Sequence, residues 1–400
     1  MKITFVLPGI GVGGGVRVVF EYANLLIERG HDVYIVYPII PPIIISRSKV
    51  KLFGRKIIGS LKNLKQGNKV EWFDVKAKLI RVPTLNPKFV SIVKKWIPNS
   101  DAIIATSWET AYFVNALPKE KGEKFYFVQH YEIWDIWNNL KCWKKIEKLE
   151  KDTGKLPITM SYITPEDQYL KRLKEVVDAT YTMPLKKITI SSWLKELLEK
   201  RFKQEIYGMI INGVNFDIFY CDNEKNWDAE KRIILMPYRG IPWKGDLDGL
   251  KALEKIYRKY GNKVEIWLYG PKKPNNLSSW VKFFEGLSDE ELRRLYCKAH
   301  ILVIPSWVEG CQLPPMEGMA CKCAVVATNV GGVPDYAIPN ETTIVVPPRN
   351  SEKLAKGISY LLDNWDEAKR IAERGYNHIK QFTWEIATIK FENAIYNGIR

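Results

Sequence analysis

Short apolar runs alternate with amphipathic stretches along this chain of 400 residues. Runs at 3–7, 33–37, 79–82, 102–106, 125–129 and 187–190 are each four or five residues long, which predicts buried strands. Between the first two, residues 16–29 place Val18, Val19, Tyr22, Ala23, Leu25 and Leu26 at helical spacing, and Gly30 follows as the stop. Strand, helix and strand in that order predict parallel βαβ units. A helix is expected from Ser191 or Ser192 to about Phe202. The pattern then restarts, with strands expected at 233–236, 264–269, 301–304, 324–327 and 343–346 and helices between them. The stretch 203–227 holds turn signals at Asn212-Gly213 and Asp222-Asn223 and no long periodic run, so the domain boundary is placed near it. Residues 383–400 form one amphipathic helix. The expected fold class is α/β: two doubly wound Rossmann-like domains, 1–205 and 206–382, facing a cleft.

Length supports two domains of about 200 residues each. Met1-Lys2 leads straight into the first apolar run, without the pattern of a signal peptide, and no apolar run reaches about 18 residues. A cytosolic protein is expected. Lys-, Glu- and Ile-rich usage hints at a thermophile. The six cysteines, Cys142, Cys221, Cys297, Cys311, Cys321 and Cys323, contain no Cys-x-x-Cys pair. They are expected to be reduced and mostly buried, with no metal site.

A formal net charge of +16 implies an anionic partner: nucleotide, phospholipid surface or nucleic acid. The segment from Arg47 to Lys69 carries eight Lys and Arg and no acid, interleaved with Val50, Leu52, Phe53, Ile57, Ile58, Leu61 and Leu64. Two readings stand: an amphipathic segment lying on an anionic membrane at the inner face of the cell, or a solvated basic helix packed on its own domain.

Candidate chemistry concentrates in the run from Ser306 to Ala320. Glu309 follows the apolar run 301–304, and Pro314 and Pro315 forbid a continuous helix from Glu309 to Glu317. Glu309 is expected on a loop at a strand's C-terminal end. Glu317 is expected in the first turn of the next helix, with Pro315 at the first helical position. Open α/β sheets bind ligands at that edge. A carboxylate there accepts two hydroxyl hydrogen bonds, which suits a sugar or a ribose; a helix-dipole glutamate is the competing account of Glu317.

Arg239 and Lys244 follow the run 233–236 among Gly240 and Gly245, and two cations on a strand-to-helix loop make a diphosphate grip. Asp246-Leu247-Asp248 matches a metal-holding Asp-x-Asp, but capping of the helix that starts there explains both aspartates, and no metal is expected. The run from Gly9 to Gly15 joins the first strand to the first helix and suits an anion at a helix N-terminus. It fits Gly-x-Gly-x-x-Gly, yet the second strand ends without the acid a dinucleotide site expects. His130 ends the run 125–129 and suits a sugar hydroxyl, a proton shuttle or a structural role.

These strings resemble family 4 of the retaining glycosyltransferases, of the GT-B fold. The resemblance rests on Glu309 and Glu317, on Arg239 and Lys244, on Gly13-Gly14-Gly15, on Ile211 to Phe219 and on Asn329 to Asp335. It implies a nucleoside-diphosphate sugar as substrate, held mainly by the second domain. Arg239 and Lys244 would hold the diphosphate, Glu309 the sugar and Glu317 the ribose hydroxyls. Gly310, Cys311, Gln312 and Leu313 would line the donor, Gly14, Gly15 and His130 would close over it, and the tail helix near Trp384 would return to the first domain. The acceptor would be a hydroxyl of a glycan or a lipid-linked molecule, in cell-surface polysaccharide or glycoconjugate synthesis. The chain departs from the family where Gln312 and Lys322 replace glycines, and Asp335 a glutamate. Two other classes compete. A nucleotide-sugar epimerase of the same fold would need no acceptor. A non-catalytic basic module would bind membrane or nucleic acid, and leaves Glu309 and Glu317 unexplained.

Overall fold

Parallel βαβ units build two sheets. The computed structural model describes residues 1–42, 44–45, 47, 54, 57–61, 70–153 and 161–400, so most of the basic segment from Arg47 to Lys69 lies outside the described residues. In the first sheet, β1 (Lys2–Val6), β2 (Asp32–Ile40), β3 (Lys78–Thr84), β4 (Ala102–Ala105), β5 (Glu123–Val128), β6 (Lys186–Thr189) and β7 (Ile206–Met209) lie in the order β3-β2-β1-β4-β5-β6-β7. In the second, β8 (Arg232–Pro237), β9 (Val264–Gly270), β10 (Val281–Glu285), β11 (Ile301–Ile304), β12 (Ala324–Thr328) and β13 (Ile344–Val346) lie in the order β10-β9-β8-β11-β12-β13. Every paired strand is parallel, with Ile3 opposite both Val33 and Ala102 in the first sheet and Ile301 opposite Ile234 and Ala324 in the second. Both sheets are doubly wound. β4 and β11 are buried along their whole length, because helices cover both faces of a parallel sheet.

The chain divides into one unit of Met1–Ile136, Lys141–Ile210 and Ala387–Arg400 and a second of Trp137–Leu140 and Ile211–Ile386. Two strands escape the apolar pattern. β7 falls inside the stretch expected to be linker, and β10 was not expected at all. Both are edge strands with half-exposed residues, so Tyr207-Gly208 and Lys282 interrupt any apolar run.

The last helix, Trp384–Ile399, places Phe391 in the core of the first unit. Its ring stacks on Tyr22 at 4.5 Å and on Phe5 at 6.0 Å, and meets Phe127 edge-on at 5.1 Å. The next residue, Glu392, accepts from Arg29 Nε at 2.7 Å and pairs with His31 Nε2 at 2.6 Å.

The cysteine expectation needs a correction. Cys221 and Cys297 form a disulfide, with Cα atoms 5.6 Å apart and 76 positions between them in sequence. The loop before β8 returns against the helix Asp289–Lys298 and brings them together, which no local spacing announces. Cys142, Cys311, Cys321 and Cys323 form no disulfide. Among the described residues no helix is long and apolar enough to cross a membrane.

Candidate active site

In a doubly wound sheet the strand order reverses at one point, and the loops leaving the two strands there diverge to leave a crevice. In the second unit that point lies between β8 and β11. The loop after β8 carries Arg239 and Lys244, and the loop after β11 carries Glu309. Backbone and side chains bind these loops to each other. Trp307 N donates to Trp243 O at 2.8 Å, and Trp307 Nε1 donates to Asp248 Oδ2 at 2.8 Å. Gly245 has φ +73°, and a Cβ there would lie 1.9 Å from Pro305 O, so only glycine lets the loops approach this closely.

Lys244 ends a short turn, Pro242–Lys244, and its Nζ contacts both oxygens of Glu309, at 2.7 and 2.9 Å. Ser306 Oγ donates to Glu309 Oε1 at 2.8 Å. Glu309 is buried, and these partners fix its orientation. Arg239 lies over the Tyr269 ring, 5.3 Å from its centroid. The Tyr269 and Tyr296 hydroxyls are 2.7 Å apart, and Tyr296 OH donates to Glu317 Oε2 at 3.2 Å. Burial, ahead of nearby charges, pushes the Tyr269 phenol up to about 12, so both tyrosines stay protonated donors. Sequence reasoning missed this tyrosine relay, because its members come from three separated elements.

Glu317 is the fifth residue of the helix Leu313–Ala320, which corrects the expected first-turn position. The helix begins at Leu313, before both prolines. First-turn N–H groups have no partner within a helix, so Pro314 and Pro315 cost nothing there. Gln312 is the residue before it and makes no capping bond.

Asp246 does not act as a helix cap. Its Oδ2 accepts from the backbone N–H groups of Arg239, Gly240 and Ile241, at 3.1, 2.6 and 3.2 Å. It shapes the loop that presents Arg239. Burial raises its pKa, against these N–H groups that lower it.

Behind Glu309, the turn Gly331-Gly332 packs flush. A Cβ on Gly331 would come within 2.7 Å of Glu309 Cβ, and one on Gly332 within 2.9 Å of Cys311 Sγ. Burial pushes the Cys311 thiol up to about 12, so it is no nucleophile at neutral pH. Gly310, Cys311, Gln312 and Leu313 form the link from Glu309 into the helix of Glu317.

Gly14, Gly15 and His130 lie in the first unit; the two glycines follow β1, at its own reversal point between β1 and β4, and His130 follows β5. The first helix, Gly14–Glu28, has no side-chain cap and no acid in its first turn. A Cβ on Gly9, Gly11, Gly13 or Gly14 would meet nothing within 4 Å, so internal packing does not account for glycine at these positions. Gln129 Nε2 donates to Gly15 O at 3.1 Å. His130 is buried, 4.5 Å from the Trp134 ring, and its Nδ1 faces Tyr131 O at 2.9 Å. A carbonyl only accepts, so Nδ1 carries a proton. Glu132 accepts from Trp108 N at 2.6 Å and from Tyr126 OH at 3.2 Å. Glu109, half-buried beside it, has its carboxyl pushed up to about 7 by burial.

Two doubly wound α/β units of six and seven parallel strands, with a tail helix returned to the first, define the GT-B class of transferase fold. Solved structures agree over nearly the whole chain. Sucrose-phosphate synthase from Thermosynechococcus elongatus superimposes with a TM-score of 0.70 at 18% identity, covering 98% of this chain and 97% of that one. Anabaena HepE in complex with UDP-glucose gives 0.68 at 14% identity, covering 99% and 100%.

Residues 221–378, within the second unit, match the family model of glycosyl transferases group 1. An uncharacterized glycosyltransferase of Methanocaldococcus jannaschii is 29% identical over 206 residues, covering 50% of this chain and 55% of the relative. The MMP alpha-(1->4)-mannosyltransferase of Mycolicibacterium hassiacum is 31% identical over 169 residues, covering 39% and 41%. The matched stretch thus spans about half the length of these curated relatives.

Proposed function

We propose that the protein is a retaining glycosyltransferase of family 4. It moves a hexose from a nucleoside-diphosphate sugar to a hydroxyl of a glycan or lipid-linked acceptor, in the synthesis of a surface polysaccharide or glycoconjugate. The observation that carries this reading is the grouping of Arg239, Lys244, Glu309 and Glu317 around one strand-order reversal. Two cations and two buried carboxylates there match an anionic diphosphate flanked by hydroxyl-bearing rings.

In this reaction the bond from the sugar's anomeric carbon to the diphosphate oxygen breaks, a bond from that carbon to the acceptor oxygen forms, and the acceptor's proton goes to the leaving diphosphate. The diphosphate gains negative charge, and Arg239 and Lys244 stabilise it. Lys244 bridges the diphosphate and Glu309, which holds the sugar hydroxyls. Glu317, set by Tyr296, takes the ribose hydroxyls. The reading assigns no step to a metal, and gives Asp246 and Asp248 structural roles as acceptors from protein N–H groups.

The enzyme would act in the cytosol, at the inner face of the membrane. Of the basic segment from Arg47 to Lys69, Ile57, Ile58 and Leu61 are described and are exposed, which suits an anionic lipid surface.

A thermal-shift panel of UDP, GDP, dTDP, ADP and CMP on wild type and Glu317→Ala tests the donor site. A ligand at 100 times its Kd adds about 2.7 kcal/mol. One nucleotide is expected to stabilise wild type and to fail with the variant. No shift with any nucleotide would overturn the reading.

A further inference from the structure

Buried polar groups without partners are rare in folded proteins, because each carries an uncompensated desolvation cost. Three occur around the loop that holds Glu309. Gln312 is 5% exposed, and neither its Nε2 nor its Oε1 has a hydrogen-bond partner. Asn212, 1% exposed, donates through Nδ2 to Cys311 O at 3.4 Å, while its Oδ1 has no partner. Tyr336, 2% exposed, follows the Gly331-Gly332 turn packed on Glu309 and Cys311, and its hydroxyl has no partner.

Gln312 is the most telling of the three. A glutamine before a helix commonly turns outward to water or caps the first turn. This one is enclosed and does neither. It sits three residues after a carboxylate already engaged by Lys244 and Ser306, and one residue before the helix that carries Glu317.

We infer that the Gln312 carboxamide selects the sugar of the donor, reading a pair of neighbouring hydroxyls on an uncharged hexose. The inference rests on the donor-site reading proposed above and goes further by assigning sugar choice to this residue. The chemistry follows from the amide. Its N–H group needs an acceptor and its carbonyl needs a donor, side by side. Two adjacent hydroxyls each give and take hydrogen bonds, so they satisfy both. A uronate carboxylate only accepts. It would leave Oε1 facing lone pairs and add a second negative charge beside Glu309. A site built to hydrogen-bond a substrate rejects analogues that leave its polar groups unpaired.

Isothermal titration separates the sugar from the nucleotide. UDP, UDP-glucose and UDP-glucuronate, and GDP with GDP-mannose, are titrated into wild type, Gln312→Leu and Gln312→Met. The quantity read is the ratio of nucleotide Kd to nucleotide-sugar Kd within each protein, which cancels any effect on the nucleotide half. In wild type the neutral sugar is expected to bind at least about 10-fold more tightly than the uronate. In Gln312→Leu its ratio should fall by about 10-fold. Both variants replace an unpaired buried amide with apolar groups of similar size, and Gln312→Met keeps the unbranched shape should leucine fail to fold. If nucleotides bind but the sugar ratio moves less than twofold in a folded variant, the role of Gln312 is overturned and the donor site stands. If no nucleotide binds wild type, both fall.

Discussion

Lys244→Met is the perturbation that the site geometry constrains most tightly. Lys244 Nζ lies 2.7 Å from Glu309 Oε1, with side-chain exposures of 26% and 10% for the two partners. Removing one member of a buried pair costs about 3–5 kcal/mol, because the other charge stays buried without its partner. Here Lys244 is a quarter exposed and Ser306 still donates to Glu309, so about 2–3 kcal/mol is expected. Glu309→Gln alone leaves an ammonium that reaches water more readily, and should cost about 1–2 kcal/mol. The double variant removes both charges together. Its loss should fall short of the sum by at least about 1 kcal/mol. The assay is equilibrium urea unfolding followed by tryptophan fluorescence, read on the transition of the second unit, which contains Trp243 and Trp307. If Lys244→Met costs less than about 0.5 kcal/mol and the two changes simply add, the pair does not organise the loop, and the orienting role given to Lys244 is refuted.

Further outcomes follow from other parts of the fold. Arg239→Ala should lower turnover about 10²–10³-fold, as loss of one charge-stabilising donor does; a loss below threefold in a glycosyl-transfer assay would remove Arg239 from the site. Reducing the Cys221–Cys297 disulfide frees a loop of 76 residues. The chain-entropy estimate is about 4.5 kcal/mol, so a reductant should lower the melting transition of the second unit and leave that of the first in place. The two units should also respond oppositely to pH. His300, buried with Nδ1 accepting from Ile233 N, is pushed down to about 4, chiefly by burial. Its unfolded form binds the proton more readily, so the second unit loses stability as pH falls from about 6.5 to 4, by up to about 3 kcal/mol. Glu109 is pushed up to about 7, so the first unit keeps its contribution below about pH 4.5 and loses it as pH rises to about 7. Denaturation at pH 5 and pH 8 with Glu109→Gln should flatten the second slope; an unchanged slope would exclude Glu109 as its source.

The parts of the molecule visible in the sequence are those whose physics is local. β4 and β11 are wholly buried, and their unbroken apolar runs say so. The order of strands and helices, with right-handed crossovers, implies the doubly wound sheets. Glu309 and Glu317 stood out because a strand end, two prolines and two acids occur within one short run. What stayed hidden is assembled by tertiary contact. β7 and β10 are edge strands whose polar residues mask them. Tyr296 becomes important only because the helix Asp289–Lys298 brings its hydroxyl between Tyr269 and Glu317. Asp246 looked like a cap, since an acid at a helix start ordinarily is one; its actual partners are the N–H groups of the preceding loop.

Phe391 and Glu392 have a consequence for biosynthesis. The core of the first unit contains the Phe391 ring, and its Arg29 and His31 are paired with Glu392. A ribosome makes Ile211–Ile386 before it makes Ala387–Arg400. At 5–20 residues per second, the first unit waits roughly 10–35 s for its last piece. The second unit is contiguous apart from the short Trp137–Leu140 piece, already made, and needs nothing beyond Ile386. The half of the protein that begins first is therefore the half that finishes folding last. During that interval, Tyr22, Phe5 and Phe127 lack the ring that completes their packing. Slowed translation, or a truncation within the final helix, would lengthen the period in which a chaperone or a protease finds that apolar surface.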